Sequence, residues 1–359
     1  MIVRDEAPVI LRCLDSVLPH VQGAVVVDTG STDSTQQLVR DRLRDEEHRR
    51  PELRSYPVIE RPWFNFEHNR NEALALARSL AGPDGWILTI DADEVLVDGG
   101  SLHGLDVSEL DGVYLQLRYG ETRYDRMALV RANEPWAWRG VVHEVLVHPG
   151  QPRTYRVSGP HVLVRKEGSR SRDPRAFEKD AALLATADQA DPRVVYYLAQ
   201  SLHCAGRLPQ ALQTYYRRAA MRGWAEETWS ALHRAANIVE QLGRPELTVT
   251  GAYLKAHEFR PSRPEPLADL ARYLNSKNKF VLALLFAEAA LRIPPHADTL
   301  FVQDVRWKLL DAASIACHYL GYRTRAQVYY LQLTAEGRFP ASERDRIAKN
   351  GEFLSPKAE

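Results

Sequence analysis

Trp86-Ile87-Leu88-Thr89-Ile90, closed by Asp91-Ala92-Asp93-Glu94, is the stretch on which the reading of this chain turns. The largely apolar run reads as a buried strand. Three carboxylates at its end are costly to hold together without a cation. In an extended strand, side chains two apart share a face. Asp91 and Asp93 are therefore expected to face one hard metal ion bridging a diphosphate, while Ala92 packs the other way. Oxygen ligands of this kind suit magnesium or manganese. A polar turn after a strand is the plain alternative, and this stretch alone does not separate the two.

Upstream, Asp28 closes a second buried-type run, Ala24-Val25-Val26-Val27. Parallel sheets bind ligands at the carboxyl ends of their strands. A carboxylate there can accept the imide N–H of a uracil or a ribose hydroxyl. Gly30 permits a tight turn, and Ser31 to Ser34 supply helix caps and backbone donors. Capping by Asp33 or Ser34 accounts for part of this string without any ligand.

Around these two ends, strand and helix patterns alternate. Met1 to Val3 reads as a strand, and Val9, Ile10, Cys13, Leu14 and Val17 recur at helical spacing. A helix is expected from about Thr35, its far end Arg44 to Glu52 a solvated charge run. Another is expected over Asn71 to Leu80, stopped by Gly82-Pro83-Asp84-Gly85. The alternation predicts a largely parallel sheet covered by helices. From Gly112 to Val164 the pattern becomes short strands, and Glu167 to Pro174 reads as a linker or mobile loop.

Beyond about Phe177 the chain reads as helical hairpins. The pairs are Val194 to Ala205 with Pro209 to Met221, Glu226 to Leu242 with Pro245 to His257, Pro264 to Asn275 with Lys279 to Ile293, and Val305 to Leu320 with Thr324 to Glu336. The third pair is expected to stop at Pro294-Pro295. Their turns recur about every 35 to 43 residues, near the tetratricopeptide period. Ala211, Ala252, Ala283 and Ala326, with Tyr215, Tyr253, Phe286 and Tyr329 on the same helices, are expected to pack the repeats together.

The chain has 359 residues and balanced charge, 47 Lys and Arg against 47 Asp and Glu. That balance argues against a general nucleic-acid binder. Cys13, Cys204 and Cys317 have neither metal nor redox spacing and read as small core residues in a reducing, cytoplasmic compartment. No segment approaches the length of a membrane span, and the opening residues do not read as a signal peptide. With a first strand at residue 1, the N-terminus reads as very economical or incomplete.

Taken in order, Val26 to Thr35 and Ile87 to Glu94 resemble the family 2 glycosyltransferases of the GT-A fold. Met1-Ile2-Val3-Arg4-Asp5-Glu6 is similar to the opening of that fold, with Asp5 where many relatives carry Asn. His68-Asn69-Arg70-Asn71-Glu72-Ala73 is similar to the family's RN-x-A helix start. The resemblance covers roughly residues 1 to 165. The helical region behind it is similar to the tetratricopeptide-like tails of some family 2 enzymes, including the peptide S-glycosyltransferases of glycocin biosynthesis. The expected fold is thus an α/β GT-A nucleotide-diphosphosugar domain, Rossmann-like, over 1–170, and an all-α tetratricopeptide-like domain over 176–345, with a tail at 346–359.

The resemblance implies roles. Glu6 and Asp28 would sit beside the base and ribose, and Arg70 near the base or diphosphate. Asp91 would touch the ribose or the metal's water shell, with Ala92 counted in the same nucleotide-sugar motif. Asp93 would be the direct ligand of Mn²⁺ or Mg²⁺, and Glu94 would orient neighbours or contact the sugar.

A second constellation is Trp136-Ala137-Trp138-Arg139-Gly140-Val141-Val142-His143-Glu144. Similar family 2 enzymes carry a G-x-x-H-E string after the second half of the sheet. Glu144 is the candidate general base and His143 a candidate metal ligand or diphosphate contact. Adjacent residues on a strand face opposite ways, so both reach one site only if the strand ends or kinks there. Trp136 and Trp138 suit sugar stacking or plain core packing. His161, Arg165, Lys166, Arg170, Arg172 and Arg175 suit a solvated basic loop or a closure over the diphosphate.

The expected activity is metal-dependent, inverting sugar transfer from a nucleotide-diphosphate donor, a UDP-sugar foremost, to a peptide, glycan or natural product. A non-catalytic sugar-nucleotide-binding scaffold is the alternative. In either case the helical domain is expected to bind an acceptor or form a homodimer.

Overall fold

The computed structural model describes residues 1–120, 122–294 and 304–354. Pro295 of the expected helix stop and residues 355–359 of the expected tail lie outside the described residues. The chain divides into two compact units, Met1–Gln189 and Ala190–Glu359.

The first unit opens with short parallel strands. They are β1 (Ile2–Val3), β2 (Gly23–Ala24), β3 (Val27–Asp28), β4 (Arg54–Ser55) and β5 (Ile59–Glu60). β3 lies between β1 and β5, and β2 pairs with β4, all parallel. Helices α1 (Ile10–Val17), α2 (Thr35–Arg49) and α3 (Phe66–Ala81) connect them. Their apolar stripes account for the cover: Ile10, Leu14, Val39 and Leu43 pack with Val3 and Val26 in one cluster. The charged end of α2 is less solvated than its composition suggests, because Glu46 is buried between Arg42 and Arg50.

The second half of this unit departs from the parallel expectation. A mixed sheet runs β6 (Trp86–Leu88), β9 (Thr122–Arg131), β8 (Gly112–Tyr119), β12 (Thr154–Val164), β7 (Glu94–Val97). Among the described residues, only β8 and β12 pair in parallel there. β8, β9 and β12 are long, not short, since β8 and β9 form a hairpin whose inner residues Leu115, Leu117, Ala128 and Val130 are fully buried. A small hairpin, β10 (Ala137–Arg139) with β11 (Val145–Val147), follows β9. Two helices, α4 (Ser169–Arg172) and α5 (Ala176–Thr186), end the unit. The expected loop at 167–174 therefore contains a helical turn, and 176–189 falls with the first unit, not the helical one.

The second unit is built of helical hairpins: α6 (Pro192–Cys204) with α7 (Leu208–Ala220), α8 (Ala225–Gln241) with α9 (Glu246–Phe259), α10 (Glu265–Ser276) with α11 (Phe280–Leu291), and α12 (Arg306–Tyr319) with α13 (Arg323–Glu336). This is the tetratricopeptide-like architecture. Ala211, Ala283 and Ala326 are fully buried at helix contacts. In the second pair Val249 takes that place, four residues before the buried Tyr253, and Ala252 is only partly covered. A last helix, α14 (Arg344–Leu354), occupies most of what the sequence suggested was a tail. It is held because Ile347 packs on Leu310 and Leu333. Cys13 and Cys317 are buried, but Cys204 is exposed at the end of α6, so the third thiol is not a core residue. Among the described residues no helix is long and apolar enough to cross a membrane.

Candidate active site

β6 ends at Leu88 and β7 begins at Glu94, so Asp91 to Asp93 form a turn between strands and not the end of one. Two reciprocal hydrogen bonds close that turn: Asp91 N–H donates to Glu94 Oε2 at 3.0 Å, and Glu94 N–H donates to the Asp91 carbonyl at 3.1 Å. The buried Cys13 thiol on α1 donates to the same carbonyl at 3.2 Å. The turn sends its side chains to different neighbours. Ala92 is buried in the cluster of Val3, Val9 and Ile10, so it meets core and not ligand. Asp91 and Asp93 do not converge as an extended strand would make them.

Asp91 sits between two arginines. Arg70 Nη2 on α3 lies 2.8 Å from its Oδ1, and Arg126 Nη1 on β9 lies 3.7 Å from its Oδ2. Burial opposes ionisation of Asp91, but Arg70 and then Arg126 outweigh it and hold the carboxyl below its usual range. Arg126 also donates to both oxygens of the buried Glu94, at 2.8 and 2.6 Å. Glu94 is thus committed to bracing the turn. The sequence reading missed Arg126. The available signal was a single cation placed directly before the apolar run Met127 to Val130 of β9.

Arg70 reaches a third carboxylate. Its Nε lies 2.6 Å from Glu144 Oε1, and its guanidinium stacks over the Trp138 ring at 4.8 Å from the centroid. Glu144 arrives there because β10 ends at Arg139 and a loop precedes β11. Within that loop Gly140 and His143 adopt positive φ, 114° and 56°. This is the kink required for the His-Glu pair. α3 fixes the loop from below. Asn71 exchanges two hydrogen bonds with the Trp138 backbone, at 2.9 and 3.0 Å, and Glu67 accepts the Gly140 N–H at 2.7 Å. Trp136 and Trp138 are buried, the first donating its indole N–H to the Asp111 carbonyl at 2.9 Å.

Asp93 turns toward Glu6. Gly168 N–H donates to Asp93 Oδ2 at 3.2 Å, and Ser169 N–H and Oγ donate to Glu6 Oε1 at 3.1 and 3.0 Å. A Cβ on Gly168 would lie 3.2 Å from Asp93 Oδ2 and 3.2 Å from Glu6 Oε2, so both carboxylates border one point. Burial pushes both carboxyls above their usual range. Asp91's charge adds to the shift of Asp93, and Asp93's to that of Glu6. Of the basic cluster, Arg172 donates to the Asp5 carbonyl at 2.8 Å, and Arg170 pairs with Asp180 and stacks over Phe66. These two are anchored although they remain exposed. His161 pairs instead with Arg118, Nε2 to Nη1 3.2 Å.

Asp28 is enclosed, not presented at an open edge. Its Oδ1 accepts Gly30 N–H, Ser31 N–H and Gln36 Nε2 at 3.0, 2.9 and 3.0 Å, and Ser31 Oγ donates to Oδ2. Asp28 organises its own turn. Asp5, at φ 53°, accepts the Thr32 N–H at 2.7 Å and ties the first loop to that turn. Asp and Asn are the non-glycine residues that tolerate this conformation best.

The carboxylates of Glu6 and Asp93 are hard oxygen donors, and burial, the main cause of their raised pKa, disfavours charged forms that a divalent cation would stabilise. Among the described residues no three His, Cys, Asp or Glu side chains are gathered to hold a metal, so His143 and Asp93 do not form a ready protein cage. Magnesium is commonly held by one or two carboxylates plus substrate phosphates, and the pair fits that pattern.

Residues 1–111 match the family model "Glycosyl transferase family 2". This segment is similar to family 2 glycosyltransferases. The match includes Glu6, Asp28, Arg70 and the Asp91 to Glu94 turn, while His143 and Glu144 lie beyond it. The matched segment is followed by repeats with their own relatives. A TPR repeat-containing protein of Synechococcus elongatus is 36% identical over 98 residues, 27% of this chain and 20% of that protein. The chain thus matches about a fifth of that relative's length. Solved structures similar to the chain include pilF of Pseudomonas aeruginosa, with 16% identity, 48% of this chain, 73% of that one and a TM-score of 0.37. A tetratricopeptide repeat protein of Parabacteroides merdae gives 14% identity, 50% and 66% coverage, and a TM-score of 0.38.

Proposed function

We propose that the family 2 domain transfers a sugar, with inversion, from a UDP-sugar to a hydroxyl or thiol of a peptide, glycan or natural-product acceptor. The observation that carries this reading is Arg70, which holds Asp91 of the donor-side turn and Glu144 in one charged network. Glu144 is the base. It takes the acceptor proton as the new bond to the anomeric carbon forms and the bond to the diphosphate oxygen breaks. Paired with Arg70, Glu144 is held back. A donor diphosphate entering beside Asp91 competes for the same guanidinium and releases it. Asp93, with Glu6 beside it, would hold Mn²⁺ or Mg²⁺, which supplies charge stabilisation to the departing diphosphate when bound. Arg126 keeps the turn rigid through Glu94.

The scaffold alternative draws on one observation: Asp93 and Glu6 are capped by backbone N–H groups and Glu144 by an arginine. Calorimetry with UDP and manganese, followed by turnover of a UDP-sugar panel read by mass spectrometry, separates the two. Sugar transfer or donor hydrolysis that is lost in Asp93→Asn, and Glu144→Gln that binds UDP but does not transfer, are the expected results. UDP binding with no turnover of any donor would favour the scaffold, and turnover unchanged in Asp93→Asn would remove the metal role.

A further inference from the structure

Leaving β5 at the carboxyl edge of the parallel strands, where such sheets bind ligands, the chain reads Arg61-Pro62-Trp63-Phe64-Asn65-Phe66. It turns two of its rings outward: Trp63 is 39% exposed and Phe64 72%. The loop that carries them is fixed all the same. The fully buried Asn69 of α3 accepts the Phe64 N–H at 3.0 Å and donates to the Pro62 carbonyl and to Glu72 Oε2, each at 3.1 Å. Arg61 N–H donates to the Asp28 carbonyl at 2.8 Å, and Asn65 caps α3 by accepting the His68 N–H at 2.7 Å. Large rings held outward by a buried amide, and not folded inward, mark a contact surface.

The rings form a platform beside the candidate active site. Trp63 meets Phe66 edge to face at 4.8 Å between centroids, and Phe64 lies 5.1 Å from the His68 ring. Arg170 stacks over Phe66 at 4.9 Å and directly follows Ser169, which caps Glu6. Arg170 also pairs with Asp180, whose carboxyl is raised first by burial, with the charge of Glu144 adding to the shift. Glu67, next to Phe66, accepts the Gly140 N–H of the loop that carries Glu144 at 2.7 Å. The platform therefore borders the side on which the candidate base stands. Charges around it are matched among themselves: Arg61 lies 3.5 Å from Glu72, and Arg40 lies 3.4 Å from Glu60.

We infer that Trp63 and Phe64 form a stacking subsite for a pyranose ring of the acceptor, which makes that acceptor a glycan or a glycosylated molecule. A pyranose presents a flat face of C–H groups, which packs on an aromatic ring, and a rim of hydroxyls that both donate and accept. Groups of the matching kind stand beside the rings: the Asn65 amide, the His68 imidazole and, 3.6 Å from that imidazole, the Glu72 carboxylate. With the local charges paired to one another, no net charge is left to select an ionic ligand, and a neutral one is favoured. A bare apolar side chain would use the rings but not the polar rim. That the sugar belongs to an acceptor rests on the sugar-transfer reading; that the platform holds a pyranose does not.

The full chain labelled with 5-fluorotryptophan carries seven reporters, and the fluorine resonance of Trp63 is assigned by its loss in Trp63→Phe. The labelled protein is titrated with methyl β-glucoside, methyl β-galactoside, methyl β-N-acetylglucosaminide and methyl α-mannoside, and separately with glucitol, uridine and N-acetylphenylalaninamide. At least one pyranoside is expected to shift the Trp63 resonance saturably, and glucitol, which has the hydroxyls without the ring, is not. Phe64→Leu should weaken that binding by about tenfold. Tyr155→Leu, at an exposed ring elsewhere in the unit, should leave it unchanged. Because Phe64 is largely exposed, its substitution is expected to leave the fold intact. No response to any pyranoside, an equal response to glucitol, tighter binding of uridine or of the phenylalanine amide, or indifference to Phe64→Leu would overturn the inference. Calorimetry with UDP and manganese on the same sample separates the two failures. Pyranoside binding without UDP binding removes the sugar-transfer reading and leaves the subsite, whereas UDP binding without pyranoside binding removes the subsite alone.

Discussion

At Arg70, one planar cation serves carboxylates of two different loops while sitting over an indole. Lysine carries the charge but not the fork. Arg70→Lys is therefore expected to lower transfer by about a hundredfold while leaving the melting temperature nearly unchanged, as steady-state kinetics and scanning fluorimetry would read. Glu6 and Asp93 carry the opposite lesson. Their folded pKa values lie above the usual carboxylate range, so the fold disfavours their ionised forms. Stability from such groups is present below the unfolded pKa and is lost as pH rises through the folded one. Glu6→Gln and Asp93→Asn should each raise the melting temperature at pH 7, and the gain should shrink toward pH 4, while activity falls. A lower melting temperature at pH 7 in both variants would contradict this sign. Stability lost to function in this way is ordinary at working sites.

At the level of elements, α3 is the part that assembles the site. Asn71 binds the Trp138 backbone through both ends of its amide, and Glu67 holds the loop that carries Glu144. Asn71→Ala should cost about 1–3 kcal/mol in urea unfolding and should depress transfer more than nucleotide binding, because it frees β10 without touching the Asp91 turn. The elements also mark what the sequence made visible. Asp91, Asp93, Arg70 and Glu144 were readable because carboxylates beside apolar runs, and an Arg-Asn pair opening a helix, are local patterns. Arg126 and the Gly168–Ser169 cap were not, since each depends on a partner tens of residues away in sequence. The expected common face of Asp91 and Asp93 failed for a local reason: Glu94 bonds back to Asp91 and turns the strand end into a loop. The hairpins of the second unit were legible from their turn spacing, but α14 was not, because its short amphipathic pattern draws its stability from Leu310 and Leu333.

At the scale of the whole molecule, each unit has its own buried clusters, and the chain distributes its three thiols unevenly between them. Cys204 is open to reagent, Cys317 is enclosed in the repeats, and Cys13 lies beneath the Asp91 turn with its thiol on that turn's carbonyl. Burial and the neighbouring carboxylates hold Cys13 well above the usual thiol pKa, so it reacts only when the first unit opens. The protein therefore carries three clocks that run at different rates under one alkylating reagent. Mass spectrometry of timed labelling should show Cys204 modified first, and UDP with manganese should slow the Cys13 clock while Cys317 keeps its own time.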